Sequence, residues 1–281
     1  MHPENRTFVK FSGNISKFYF FITFYYLPHF RFLSMFKKII LQEVQPMEPE
    51  DTDEIASLQT AVSLPQVIYN NVQSPQDFYK MAFEFQQIMM LYDSATKQIV
   101  TKLEILNKEY KISGNRNPIE TIKSRIKSAD SIAAKLEKKG YPVTFEAMTK
   151  NLNDIAGVRV ICPYITDIYT IRCILLKQPD IKLVQEHDYI KTPKDSGYRS
   201  LHIVVETPVY LSETQHIIRV EIQLRTIAMD FWASLEHELH YKTTTQIPDS
   251  IRKKLSQCAE TIAATDRKME EIALELQTIK N

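Results

Sequence analysis

Two apolar stripes of helical period bracket this chain, and between them the period drops to two. Phe78, Ala82, Phe85, Met89, Tyr92, Thr96, Ile99, Leu103, Leu106 and Tyr110 recur four and three apart, the spacing that gathers side chains on one face of a helix. Ser74-Pro75 opens that helix, and Lys80, Glu84 and Lys97 fall on its opposite face. Ile251, Leu255, Cys258, Ile262, Met269, Ile272, Leu276 and Ile279 repeat the pattern in a last helix after a break at Pro248. In between, Val158 to Cys162, Ile181 to Gln185, Ser200 to Thr207 and Ile217 to Leu224 read as strands. The third is expected to stop at Pro208, before a polar turn at Ser212-Glu213-Thr214. Asp167 to Leu176 and Thr226 to Tyr241 read as helices, and Ile119 to Lys139 as a further helix ended by Gly140. The class is α+β, with no internal repeat.

The first part of the chain stands apart. Phe18 to Phe36 is crowded with aromatics, but Pro28, His29 and Arg31 interrupt it short of the ~20 apolar residues that span a bilayer. No small-residue cleavage motif follows it. With the acidic linker from Glu48 to Glu54, residues 1–73 are expected to be a poorly structured extension and residues 74–281 the working domain, with no role for a membrane. Cys162, Cys173 and Cys258 form no CxxC pair, which suggests neither a disulfide framework nor a zinc site and points to a reducing, cytoplasmic setting. The net charge of +1 argues against a nonspecific nucleic-acid binder, although a neutral total can hide a basic cleft. Only 5 glycines occur and no glycine-rich phosphate loop can be found, so a bound nucleotide is expected to be held by side chains.

Four clusters put charge where a core would not accept it. Arg125, Lys127, Ser131 and Lys135 recur over a short stretch, the last three spaced to share a helix face. Asp154 immediately precedes a strand that carries Arg159. A polar segment from Asp188 through Lys191, Lys194 and Tyr198 to His202 offers cations for phosphate and an aromatic for base stacking. In Val220 to Arg225, period two sets Glu221, Gln223 and Arg225 on one face, bordering a cleft or solvent, and Val220, Ile222 and Leu224 on the other. Each cluster alone has an ordinary structural reading as a solvated helix face, a salt bridge or a surface loop. His237 and His240 could share a metal but lack a third ligand. Together, the acids Asp154 and Glu221 could bind Mg²⁺, and the cations could neutralise a polyphosphate, which is what phosphoryl-type transfer needs.

RIKSADSIAAKL, NDIAGVRV, DYIKTPKDSGYRSLH and VEIQLRTIAMDFWASLEH resemble, in order and spacing, the synthetase domain of the RelA/SpoT family, and most closely its small stand-alone members. NPIETIKSRIKS sits nearer the RelP type, and Asp230 stands where the product-activated RelQ type tends to carry Asn. The resemblance implies a mixed β-sheet flanked by helices, related to nucleotidyltransferases, and a homotetramer. It implies synthesis of (p)ppGpp in the stringent response, by pyrophosphate transfer from ATP to the 3′-hydroxyl of GDP or GTP with release of AMP. By the same resemblance Arg125 and Arg159 sandwich adenine, and Lys127, Ser131 and Lys135 hold the ATP phosphates. Asp154 binds Mg²⁺, and Glu221 assists it or takes the hydroxyl proton, supported by Gln223. Tyr198 stacks on guanine, with Lys191, Lys194 and His202 near the acceptor. No hydrolase activity is expected and no nucleic acid is required, although regulation by RNA is compatible with the family. The competing readings are a toxic relative acting on tRNA or adenosine nucleotides, and an inactive RNA-binding scaffold.

Overall fold

The computed structural model describes residues 74–114, 116–242 and 248–280. The expectation for residues 1–73 lies outside them. Helix α1 (Pro75–Ile112) begins where Ser74 accepts a hydrogen bond from the Asp77 amide, with Pro75 in the first turn, and closes at Ser113 before the positive-φ Gly114. Its predicted stripe is the packed face. Ala82, Tyr92, Thr96, Ile99 and Leu103 are buried, whereas Lys80, Glu84 and Lys97 are exposed.

Five strands form one mixed sheet. They are β1 (Thr121–Ile126), β2 (Ala156–Cys162), β3 (Lys182–Asp188), β4 (Leu201–Tyr210) and β5 (Gln215–Thr226), in the order β1-β2-β5-β4-β3. Only β2 and β5 run parallel; the other pairs are antiparallel. Helix α1 lies against β1, β2, β4 and β5, and α4 (Ile165–Leu176) lies against β2 and β5. The core they enclose holds Ile99, Leu103, Val158, Val160, Ile168, Ile171, Leu201, Ile203, Val220, Ile222 and Leu224. A parallel pair with a helical crossover needs apolar residues on the covered face of both strands, which these supply.

Two expectations are corrected. The helix expected from Ile119 to Lys139 is a strand followed by a helix: β1 pairs along β2 with Lys123 opposite Arg159 and Arg125 opposite Gly157, and α2 (Ala129–Lys138) starts only after Ser128 caps it. Thr121, Ile122 and Ile126 are β-branched and favour the extended chain, and a free edge of β2 was there to pair with. Strand β4 does not stop at Pro208 but runs to Tyr210, because β3 pairs with β4 only as far as Glu206 and Pro208 lies on an unpaired edge, where no amide is needed.

The last stripe does form a helix, α6 (Asp249–Lys280). Its buried face is Ala259, Ala263 and Asp266, whereas Ile251, Cys258, Met269, Ile272, Leu276 and Ile279 of the predicted stripe are exposed. Small residues let α6 approach α5 (Ile227–Lys242) closely. A short helix not foreseen in the sequence, α3 (Phe145–Asn151), is capped by Thr144 and buries Ala147 and Met148.

Candidate functional site

The sheet brings two carboxylates to the same end of its parallel pair. Glu221 lies opposite Gly157 in the β2–β5 register, and Asp154 precedes β2. They are close enough for the Asp154 charge to raise the Glu221 carboxyl. Lys127 follows β1, its amide bonded to the Ile155 carbonyl at 2.9 Å, and Lys135 lies one helical stretch later on α2. Their ammonium groups converge on Oδ2 of Asp154 at 3.1 and 2.5 Å. Burial pushes the Asp154 carboxyl up, but the hydrogen bond from Lys135 and the charges of both lysines outweigh it, and the group titrates below its ordinary value. Oδ1 of Asp154 is buried and has no hydrogen-bond partner.

Glu221 belongs to a closed ring of side chains. Its Oε2 accepts from Gln223 Nε2 at 2.8 Å, and Gln223 Oε1 accepts from Arg225 Nη2 at 3.2 Å. The same Nη2 donates to the Tyr198 phenol oxygen at 2.5 Å, and that oxygen lies 2.8 Å from His202 Nε2. With Arg225 donating to it, the phenol keeps its proton for Nε2. The imidazole proton then sits on Nδ1, 3.4 Å from Glu221 Oε1. Burial pushes the Glu221 carboxyl up, but His202 and Gln223 bring it below the ordinary glutamate value. It is therefore an ionised, acceptor-only group at neutral pH.

The loop from Tyr189 to Ser200 carries the aromatic part of the site. Gly197 has φ 88°, and a Cβ there would meet the Ala259 Cβ at 2.5 Å, so only glycine lets this loop lie against α6. Lys194 Nζ sits over the rings of Tyr189 and Tyr198 at 4.6 and 4.9 Å, and Tyr189 meets Tyr198 and His202 edge-on.

Of the residues singled out in the sequence, Asp154, Lys127 and Lys135 form one group and Glu221, Gln223, His202, Tyr198 and Lys194 another, the charge of Asp154 reaching Glu221. Arg159 projects from the middle of β2 and bonds Asp230 at 3.2 Å, with its Nε buried and unpartnered. Arg125 is exposed on β1, close enough for its charge to act on Arg159. Ser131 is exposed and bonds Ser128 Oγ at 2.8 Å at the start of α2. Lys191 is not brought to the carboxylates. It pairs with Asp188 at 3.4 Å, stands over Tyr169 and lines a separate cavity of about 370 Å³ between α4 and α6. Arg225, expected to face a cleft or solvent, is 4% exposed and built into the ring. Tyr189, Arg225 and Asp230 were not picked out as site residues. Only the alternation of β5 hinted at Arg225; Asp230 stood out only for the Asn that RelQ-type relatives tend to carry there, and Tyr189 only as part of the DYIKTPKDSGYRSLH segment.

Residues 124–246 match the model of a region found in RelA / SpoT proteins. The GTP pyrophosphokinase YwaC of Bacillus subtilis is 44% identical over 181 residues, which are 64% of this chain and 86% of that relative. The GTP pyrophosphokinase YjbM of the same organism is 34% identical over 194 residues, 69% of this chain and 90% of that one. The crystal structure of small alarmone synthetase 1 from Bacillus subtilis bound to its product pppGpp superposes with a TM-score of 0.65 at 34% identity, over 69% of this chain and 98% of that one. Small alarmone synthetase 2 from the same organism gives 0.63 at 42% identity, over 68% and 99%.

Proposed function

The chain belongs to the RelA/SpoT family, and from that premise we propose that it is a small alarmone synthetase, a GTP diphosphokinase that makes (p)ppGpp. Two curated relatives, covered over most of their length, are GTP pyrophosphokinases, and a solved relative of the same fold holds pppGpp. The observation that carries the reading to this chain is the carboxylate pair. Asp154 has one oxygen on two lysines and the other buried and unpartnered, next to an ionised Glu221 held by His202 and Gln223.

That donor set fits Mg²⁺. An orphaned buried carboxylate oxygen is costly unless something binds it, and a hard cation with a second carboxylate nearby is the simplest occupant. Among the described residues no group of three or more His, Cys, Asp or Glu side chains could hold a metal, so substrate phosphates would complete the shell, as Mg²⁺ favours. Asp154 and Glu221 would hold the ion, which when bound supplies charge neutralisation at the phosphates.

The remaining work falls to side chains. Lys127 and Lys135 move from Asp154 to the ATP phosphates, with Ser131 at the start of α2, and Arg125 and Arg159 flank the adenine. Tyr198 stacks on guanine, with Lys194 on the acceptor's phosphate side. The 3′-hydroxyl oxygen bonds to the β-phosphorus of ATP, and the bond from that phosphorus to the bridging oxygen of the α-phosphate breaks. AMP leaves with the electron pair, and the hydroxyl proton passes to Glu221, whose negative charge His202 Nδ1–H and Gln223 orient. Purified protein with ATP, Mg²⁺ and GDP or GTP should release AMP together with a 3′-pyrophosphorylated guanosine nucleotide, resolved by ion-exchange chromatography. AMP that appears only with tRNA, or none at all, would overturn the reading.

Assembly and location follow the same reading. The exposed stripe of α6, with Phe231, Leu235 and Leu239 on α5, supports self-association into a homotetramer; a monomeric mass by light scattering with full activity would refute it. A cytoplasmic location belongs to the same proposal; no described helix is long and apolar enough to cross a membrane.

A further inference from the structure

We infer that Asp230 is a positioning residue that braces both nucleotide sites at once. It sets Arg159 on the ATP side and, through Arg225, Tyr198 on the acceptor side; the inference rests on the placement of the two nucleotides proposed above. One carboxylate oxygen makes both connections. Oδ1 of Asp230 accepts from Nη1 of Arg159 and from Nη1 of Arg225, each at 3.2 Å. Lys123, on the edge strand, approaches Oδ2 at 3.8 Å.

The two arginines differ in what they have left to offer. Arg225 is buried and fully committed, donating to Asp230, the Tyr198 phenol, Gln223 Oε1 and Ser200 Oγ, with its guanidinium carbon 5.0 Å from the centre of the Tyr198 ring. It acts on Tyr198 by holding the phenol from the side and the ring by its charge. Arg159 has only Asp230 as an ion-pair partner among the described residues, and its Nε is buried and unpartnered. Burial and the charge of Arg225 push its guanidinium below the ordinary arginine value. Two like charges persist beside each other because the one carboxylate between them pairs with each and offsets part of their repulsion.

The fold fixes that carboxylate. Asp230 lies in the first turn of α5, entered directly from β5. Thr226 at the junction accepts from the Met229 amide at 3.1 Å and donates to the buried Asp266 of α6 at 2.6 Å. The turn is thus held from below, and Asp230 is aimed back over the sheet between β2 and the Tyr198 loop.

Removing the carboxylate leaves two guanidinia that repel, so both should leave their places. Asp230→Ala should weaken both nucleotides by about tenfold, the scale of a lost charge-assisted hydrogen bond. The value of kcat should stay within about threefold, because Asp154 and Glu221 are untouched. Asp230→Asn keeps the shape and one acceptor but not the charge, so both constants should rise by less. A second substitution separates a brace from general support. In Asp230→Ala with Arg225→Met the repulsion on Arg159 is gone, so ATP affinity should return toward wild type, while the acceptor stays weak because Tyr198 has lost its donor.

The test is calorimetric titration of the full-length protein with Mg²⁺ and the non-reacting ATP analogue AMPCPP, and separately with GDP, beside AMP-release kinetics and thermal melts. The expected result is paired weakening in both single variants and selective recovery of the ATP analogue in the double variant. Both constants within twofold of wild type in a folded Asp230→Ala would overturn the inference. So would a double variant that binds the ATP analogue as weakly as the single one. If Asp230→Ala fails to fold, Asp230→Asn decides: weakening of both nucleotides at an unchanged melting temperature supports the brace, and weakening of one or neither overturns it. Failure of the synthetase reading would look different, as wild-type protein that binds both nucleotides yet releases no AMP, and the binding constants would still decide the brace.

Discussion

Glu221→Gln tests the centre of the proposed chemistry. Glu221 accepts from Gln223 Nε2 at 2.8 Å and faces His202 Nδ1 at 3.4 Å. With His202 holding its proton on Nδ1, both neighbours are donors. A carboxylate satisfies both, whereas an amide has one acceptor oxygen and turns its NH₂ toward one of them. The variant therefore loses the proton acceptor and also mispairs the group that remains. A positioned base is worth roughly 10²- to 10⁴-fold, which is about 3 to 5 kcal/mol of transition-state stabilisation at 1.36 kcal/mol per decade. Side-chain shape is nearly conserved and the core residues Val220, Ile222 and Leu224 point the other way, so the melting temperature should move by no more than a few degrees. The assay is steady-state AMP release at saturating ATP and GDP with Mg²⁺, with circular dichroism melts of both proteins. A folded Glu221→Gln protein that keeps kcat within fivefold would refute the assignment of Glu221 as base and the ring as the device that orients it.

Base stacking is worth roughly 1–3 kcal/mol, so Tyr198→Ala should raise the KM for GDP about 5- to 150-fold; an unchanged value would remove Tyr198 from the acceptor site. Tyr198→Phe keeps the ring but removes one of the hydrogen bonds of Arg225 and the Nε2 partner of His202, and should cost several-fold, where a phenol free in solution would cost nothing. The folded-state values of the Asp154 and Glu221 carboxyls are depressed. Their contribution to stability is therefore present above the ordinary carboxyl values of 3.8 and 4.5 and lost as pH falls below them. Melting temperatures should drop across that acid range in the wild type and drop less in Asp154→Asn; parallel profiles would contradict the ion-paired state of Asp154.

What the sequence determined by itself was whatever local period can carry. The α1 stripe folds as its spacing says, because a four-three pattern has one helical face to bury. In β5, Val220, Ile222 and Leu224 enter the core and Glu221 and Gln223 leave it, because a strand has only two faces. The acids, the lysines and Tyr198 were legible because charge and aromatics clustered where packing offered no use for them, and the ordered motifs gave the family. Tertiary structure decided the rest. Ile119 to Lys139 became strand and helix because β2 offered an edge, which no local spacing reports. The α6 stripe stayed outside because Ala259 and Ala263 allow closer approach to α5, a matter of shape rather than hydrophobicity. Lys127 and Lys135 share Asp154 although only Lys135 is on the helix, since β1 and α2 turn back around the start of β2. Asp230 is the furthest such case. Its two arginines come from β2 and the end of β5, and the three meet only because a parallel pair brings those strands together beneath the first turn of α5.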